Sequence, residues 1–151
     1  MTGMTEIVKT VTEWIKGFII FYGIYIVLLG HLSPGGGFAG GVIIACSFIL
    51  IELAFGHKRA EKELSEKGSH LLDEYGAISI LLLGLLGYFL PALPFFSNVL
   101  LHYFGNSPFH LLSAGSIPLI NLAIGIKVGT GLYSVFSGLS HYQSDLQEKE
   151  E

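Results

Sequence analysis

The chain has 151 residues, 51% of them hydrophobic and 13% charged, with a formal net charge of −4, against about 25% charged residues in ordinary soluble proteins. Its mean hydropathy is +0.62, and its apolar runs reach the roughly 20 residues that a helix needs to cross a hydrocarbon core. That balance excludes an ordinary soluble domain and offers no basic patch for nucleic acid, while the single cysteine, Cys46, excludes an intrachain disulfide or a multi-cysteine metal site.

The first expected span runs from Val11 to Gly30. Glu6 and Glu13 lead into it, and its apolar run is longer than a secretory leader core, so it reads as a membrane helix and not as a cleaved signal. Next comes Gly30-His31-Leu32-Ser33-Pro34-Gly35-Gly36-Gly37-Phe38-Ala39-Gly40-Gly41, a glycine-rich hinge between two apolar segments. Ser33 is placed to cap the following helix and Pro34 to take its first position. The segment formally matches GxGxxG. A dinucleotide site, however, requires a strand before that motif and a helix and acidic residue after it. Here a membrane helix precedes it. Gly36/Gly40 and Gly37/Gly41 instead form overlapping GxxxG pairs, which let helices approach closely in lipid.

The second span covers Pro34 to Phe55, with Cys46 midway as a small packing residue and Glu52 as the only acid within an apolar run. Residues 56–74 form a linker of mixed charge that reads as a solvated connector, with the i,i+4 spacing of Glu63 and Lys67 offering a short surface helix as the alternative. Asp73 and Glu74 stand where the third span, Tyr75 to Leu93, begins, and a negative charge suits a helix N-terminus. Gly76, Gly84 and Gly87 add small positions to that span. Residues 94–116 carry Phe95, Phe96, Tyr103, Phe104 and Phe109, the aromatic content of an interfacial segment, with a short helix expected near Ser97 to Phe104. The fourth span, Ile117 to Gly138, contains a third GxxxG pair, Gly125/Gly129.

Orientation follows from the basic residues, which stay cytoplasmic. Lys9, Lys16, Lys58, Arg59, Lys62, Lys67 and Lys149 all fall on one side of a four-span chain, and the opposite connections hold no Lys or Arg. The expectation is an all-α integral membrane protein, a single membrane domain over residues 1–151, with four transmembrane helices and both termini cytoplasmic.

The remaining basic residue, Lys127, lies inside the fourth span, about 15 Å from each interface at 1.5 Å per residue. A lysine at that depth costs about 2.5 kcal/mol or more on insertion scales, so it should face a partner or a wet cavity. It is either an ion-path or coupling lysine, or half of a structural pair with a carboxylate of a neighbouring helix. Glu52 sits near the cytoplasmic end of its span, where snorkelling competes with an ion-path role. By depth it would reach Lys127 only with tilt or through water. Asn121, about two turns before Lys127, is an ion-path candidate or an interhelical hydrogen-bonder. His31, beside the hinge, is a proton-exchange candidate, since imidazole titrates around neutrality, or a capping residue. His57, His70 and His141 read as solvent-side, and His102 and His110 show no metal spacing. No residue set supports a catalytic or metal site.

The whole pattern resembles the MrpB/MnhB family, small subunits of the Mrp/Mnh-type multisubunit Na+/H+ antiporters. The resemblance rests on the segment from Gly30 to Gly41 and on Asn121-Leu-Ala-Ile-Gly125-Ile-Lys127-Val-Gly129-Thr-Gly131-Leu, and it extends over essentially the full chain. It implies a small non-enzymatic membrane component that binds no cofactor of its own and serves Na+ and H+ transport in the cell membrane. The implied partners are complex I-like proton-pumping subunits, other small membrane subunits and, in related archaeal respiratory complexes, hydrogenase or iron–sulfur subunits. Lys127, His31, Pro34, Gly35, Gly36, Gly37, Gly40 and Gly41 fall on the family-like motifs, whereas Glu52 rests on none. Gly125 and Gly129 lie on the second motif. A purely structural assembly role is the alternative.

Overall fold

The structure, a computed structural model, describes residues 4–32, 34–89, 94–104 and 114–150. It is all-helical over these residues. The elements are α1 (Glu6–Leu29), α2 (Gly37–Phe55), α3 (His57–Glu63), α4 (Glu66–Phe89), α5 (Val99–Phe104) and α6 (Ile117–Glu150). Four of them, α1, α2, α4 and the Ile117–Tyr142 part of α6, are long and apolar enough to cross a membrane. Their outward faces fit that medium. Trp14, Phe18 and Phe21 on α1 and Tyr88 and Phe89 on α4 are all more than 70% exposed, a larger apolar surface than water tolerates on a soluble protein.

α2 and α6 form the centre, with α1 packed on α2 and α4 packed on α6. Glycines set the spacing. A side chain at Gly40 would meet the Gly23 carbonyl of α1 at 2.7 Å, and one at Gly41 would meet the Gly125 carbonyl of α6 at 2.7 Å. A side chain at Gly37 would overlap the Asn121 carbonyl. At Gly125 the nearest atom is a Val27 methyl at 2.8 Å, and at Gly129 it is the Gly41 carbonyl at 3.3 Å. At Gly37, Gly40, Gly41 and Gly129 the backbone of a neighbouring helix lies against the glycine, which is how helices associate where no hydrophobic driving force separates them from lipid.

Several boundaries differ from the sequence expectation. α2 begins at Gly37 with Gly36 as its cap residue, so Pro34 precedes the helix instead of opening it; Ser33 lies outside the described residues. Gly35 and Gly36 take φ of 149° and 95°, conformations that glycine adopts without a Cβ penalty and that end the preceding turn before a helix can start. α4 begins at Glu66, more than two turns before Tyr75, and its last expected residues, 90–93, fall outside the described ones. The charged linker is therefore largely helical: α3 holds its first half, and the start of α4 holds the rest. Cys46 is exposed on α2 and does not pack inside the chain.

The connection before α6 is described at 94–104 and 114–116, and includes the short helix expected near its middle, α5. Asn98 ties it together. Its Nδ2 donates to the Ala114 carbonyl at 2.7 Å, and its Oδ1 accepts from the Ser116 backbone N–H at 2.9 Å and hydroxyl at 3.1 Å. Phe96 packs its ring over Gly84 of α4 and donates its N–H to the Gly84 carbonyl at 3.1 Å. His110 lies outside the described residues.

Candidate functional site

Two ionisable centres lie along α6, one between α4 and α6 and the other where α2, α3 and α4 meet it. The first is Lys127. Its Nζ donates to Asp73 Oδ1 at 3.0 Å and Oδ2 at 3.1 Å. Glycines on the opposite helix let these side chains meet. A Cβ at Gly76 of α4 would come within 2.9 Å of Lys127 Cβ, and a Cβ at Gly131 of α6 within 3.1 Å of Asp73 Oδ1. Lys127 stands about 15 Å along α6 from Ile117, inside the part of that helix long and apolar enough to cross a membrane. The pair is not sealed within the chain, because the two side chains are 42% and 32% exposed.

The second centre is Glu52, whose side chain is only 2% exposed. Its partner is created by a turn. Gly56 has φ 86° and donates its N–H to the Glu52 carbonyl at 2.8 Å, ending α2 and starting α3. That reversal brings His57 back over Glu52, with His57 Nδ1 3.3 Å from Glu52 Oε1. The same nitrogen is 3.2 Å from the Ser137 hydroxyl of α6. His57 Nε2 faces Glu66 Oε1 of α4 at 3.9 Å, and the His57 and His141 rings meet edge-on with centroids 5.6 Å apart. His57 thus belongs to the site and not to a solvent-side linker, which corrects the expectation from the sequence.

Hydroxyls occupy the space between the two centres. Ser69 of α4 donates to the Thr130 carbonyl at 3.1 Å and so receives the Ser134 hydroxyl at 2.6 Å. On α6 one polar stripe runs through Lys127, Thr130, Ser134, Ser137 and His141, and on α4 another runs through Glu66, Ser69 and Asp73. Successive spacings of three and four place each set on one helical face. The seam is enclosed: Ser69, Thr130 and Ser137 are all buried.

The other sequence candidates lie elsewhere. Asn121 sits beside the hinge near the start of α6, its side-chain oxygen 3.6 Å from where a Gly36 Cβ would be. His31 lies in the turn after α1, half-buried, on the hinge side of the bundle. Lys127 and Glu52 are each paired, but to different partners, and not to each other.

Asp73 and His57, the partners of Lys127 and Glu52, are the ionisable contacts that sequence reasoning misses. Asp73 lies at the edge of a run of linker charges and reads as a helix-start residue, whereas it stands two turns inside α4. The signal that reveals it is the shared helical stripe: Glu66, Ser69 and Asp73 facing the repeated Lys127, Thr130, Ser134 and Ser137.

A bundle of four membrane-length helices, with small-residue contacts and a charged pair on a partly open face, defines a multi-pass membrane subunit. The chain belongs to the family described as a domain related to the MnhB subunit of Na+/H+ antiporters, whose profile matches residues 7–134. It is 37% identical over 130 residues to an uncharacterised protein of Methanocaldococcus jannaschii, covering 85% of this chain and 49% of that one. It is 42% identical over 53 residues to a putative antiporter subunit mnhB2 of Staphylococcus saprophyticus, covering 35% of this chain and 38% of the relative. Among solved structures it is similar to a chain in the membrane-bound sulfane sulfur reductase, an archaeal respiratory membrane complex. There the TM-score is 0.74 and the identity 31%, over 92% of this chain and 59% of that chain. The chain thus spans about half the length of the archaeal relative and less of the staphylococcal one.

Proposed function

We propose that this chain is a small, non-catalytic membrane subunit of a multisubunit cation/proton antiporter, or of the antiporter-like membrane arm of a respiratory complex, and that Lys127 with Asp73 borders its ion path. The observation that carries this reading is the position of the pair. A lysine and a carboxylate at mid-membrane depth are expensive against lipid and are found facing a bundle interior, a partner or a water-filled cavity. Here the pair is satisfied internally yet remains open on one face. A neighbouring subunit and a hydrated path together supply the surroundings it needs.

Family membership supports the setting. The transported ions would be Na+ and H+, and the partners other antiporter-type membrane subunits, with hydrogenase or iron–sulfur proteins in a redox-driven assembly. The distribution of basic residues supports a cell-membrane location with both termini cytoplasmic. Asn121 and His31, next to the hinge, would line the opposite end of the chain from Glu52, and Gly37, Gly40, Gly41, Gly125 and Gly129 would hold the bundle closed.

One observation favours a second reading. Lys127 already has a bidentate carboxylate partner, so the pair would also serve a purely structural subunit that packs between larger pumping subunits. The setting is tested by isolating the tagged chain in mild detergent and identifying the co-purifying proteins by mass spectrometry. Antiporter-type membrane subunits are expected. Recovery of the chain alone, at stoichiometric purity, contradicts a multisubunit role.

A further inference from the structure

We propose that Glu66, His57 and Glu52 form a proton-uptake relay that delivers protons from the linker end of the bundle to a buried carboxylate at the foot of the polar seam. This route rests on the reading of the chain as part of an ion-translocating assembly.

The three groups form a gradient of burial. The side chains of Glu66, His57 and Glu52 are 53%, 26% and 2% exposed, and His57 lies between the two carboxylates. A buried carboxyl normally has both oxygens satisfied. Glu52 Oε1 faces His57, but Oε2 is buried with no hydrogen-bond partner among the described residues. Oε2 therefore offers an open position for a proton at the buried end of the three groups.

The geometry fixes the direction of transfer. An ionised Glu52 can only accept, so His57 Nδ1 carries the hydrogen shared by Glu52 Oε1 at 3.3 Å and Ser137 Oγ at 3.2 Å. A proton arriving at Nε2, from Glu66 or a water beside it, makes the imidazolium. Nδ1 then releases its own proton to Glu52 Oε1. Glu52 becomes the neutral acid, and His57 becomes neutral with its hydrogen on Nε2. Proton exchange with water, in which Nε2 gives up its hydrogen and Nδ1 takes one up, restores the starting tautomer. The 3.9 Å between Nε2 and Glu66 is too long for a direct bond and short enough for a small side-chain movement or one water to close.

The other ionisable groups facing this centre are accounted for. From α6 these are His141, edge-on to His57, and Tyr133, whose hydroxyl lies 3.5 Å from the Leu64 carbonyl. The charges of α1 are engaged elsewhere: Lys9 with Glu6 at 2.8 Å, Lys16 with Glu63 at 3.0 Å, and Glu13 with Arg59 at 3.9 Å. Among the described residues no three His, Cys, Asp or Glu side chains converge to hold a metal ion. The cluster therefore suits a proton better than a metal cation. Beyond Glu52, the buried hydroxyls of Ser137 and Thr130, with the half-buried Ser134 between them, lead along α6 towards Lys127.

The test is infrared difference spectroscopy on the purified, assembled complex during a pH titration, followed by the rate of proton uptake after a pH jump. The carbonyl stretch of a protonated carboxylic acid should appear in the unaltered complex and vanish in Glu52→Gln. If Glu52→Gln fails to assemble, Glu52→Asp should shift the band instead. His57→Gln should keep the band but slow its appearance roughly tenfold or more, and Glu66→Gln should slow it less. Absence of any Glu52-dependent band, or uptake in His57→Gln at the unaltered rate, overturns the relay. These readouts do not require transport. A titrating Glu52 in a complex that exchanges no cations leaves the relay standing and removes the antiport reading, whereas cation exchange without a Glu52 band removes the relay alone.

Discussion

Lys127 and Asp73 each stand against a glycine of the other's helix: Gly76 of α4 lies under the lysine and Gly131 of α6 under the carboxylate, and the Nζ meets both oxygens at 3.0 and 3.1 Å. The pair is therefore built into the α4–α6 contact and is not an incidental meeting of long side chains. Leaving one charge of a buried pair without its partner costs about 3–5 kcal/mol. Because these side chains are partly open, Lys127→Met or Asp73→Asn alone should cost about 1–3 kcal/mol. A thermal melt of the purified complex, compared with the unaltered protein, reads this loss.

The glycine beneath Lys127 should not tolerate bulk. A Cβ at Gly76 already approaches Lys127 Cβ at 2.9 Å and the Ala123 carbonyl at 3.1 Å. Gly76→Leu should force α4 away from α6 and cost about 1–3 kcal/mol by overpacking. An engineered cysteine pair across this seam would report the separation as a lower cross-linking yield in the Gly76→Leu background.

Gly56 determines whether His57 reaches Glu52. Its φ of 86° and ψ of 165° lie in a region essentially reserved for glycine. Gly56→Ala should cost about 1–3 kcal/mol and move His57 away from the carboxylate. The imidazole signal of His57 in nitrogen-resolved solid-state NMR should then lose the signature of an Nδ1–H donated to Glu52.

Asn98 is the polar tie between α5 and the start of α6. Asn98→Ala removes the acceptor of the Ser116 N–H and hydroxyl and the donor to Ala114. Leaving such partly buried groups unpaired costs about 1–3 kcal/mol. Limited proteolysis should show faster cleavage between Pro94 and Ile117, with the four long helices still protected.

The four spans are legible in the sequence because apolar length is a strong signal that no packing detail can reverse. Helix boundaries are less so. Charge in residues 57–74 reads as loop, yet Gly56 and the contact of Ser69 with α6 let that stretch continue as helix up to the membrane. The same charge hides Asp73, the partner Lys127 requires. Lys127 itself is legible, since a lone charge in an apolar run must be satisfied somewhere. Glu52 is legible as an anomaly, but its partner His57 depends on one positive-φ glycine whose effect on direction has no sequence periodicity. The hydroxyl stripe from Thr130 to Ser137 is present in the spacing, masked by the ordinary habit of Ser and Thr to bond within their own helix.

An ion-path role for Lys127 and Asp73 is tested most directly by replacing the pair with apolar residues, Lys127→Met with Asp73→Leu, in the assembled complex. Exchanging a buried ion pair for packed apolar side chains is often neutral or stabilising, so the complex should form at normal levels. Its cation-driven proton exchange is then followed in membrane vesicles by the collapse of a pH gradient when Na+ is added. The expected result is a normally assembled complex with exchange reduced by roughly a factor of ten or more, the scale set by losing one positioned charge from a coupled site. Full exchange by the double variant at normal complex levels would contradict that role, leaving Lys127 and Asp73 as structural members of the α4–α6 contact.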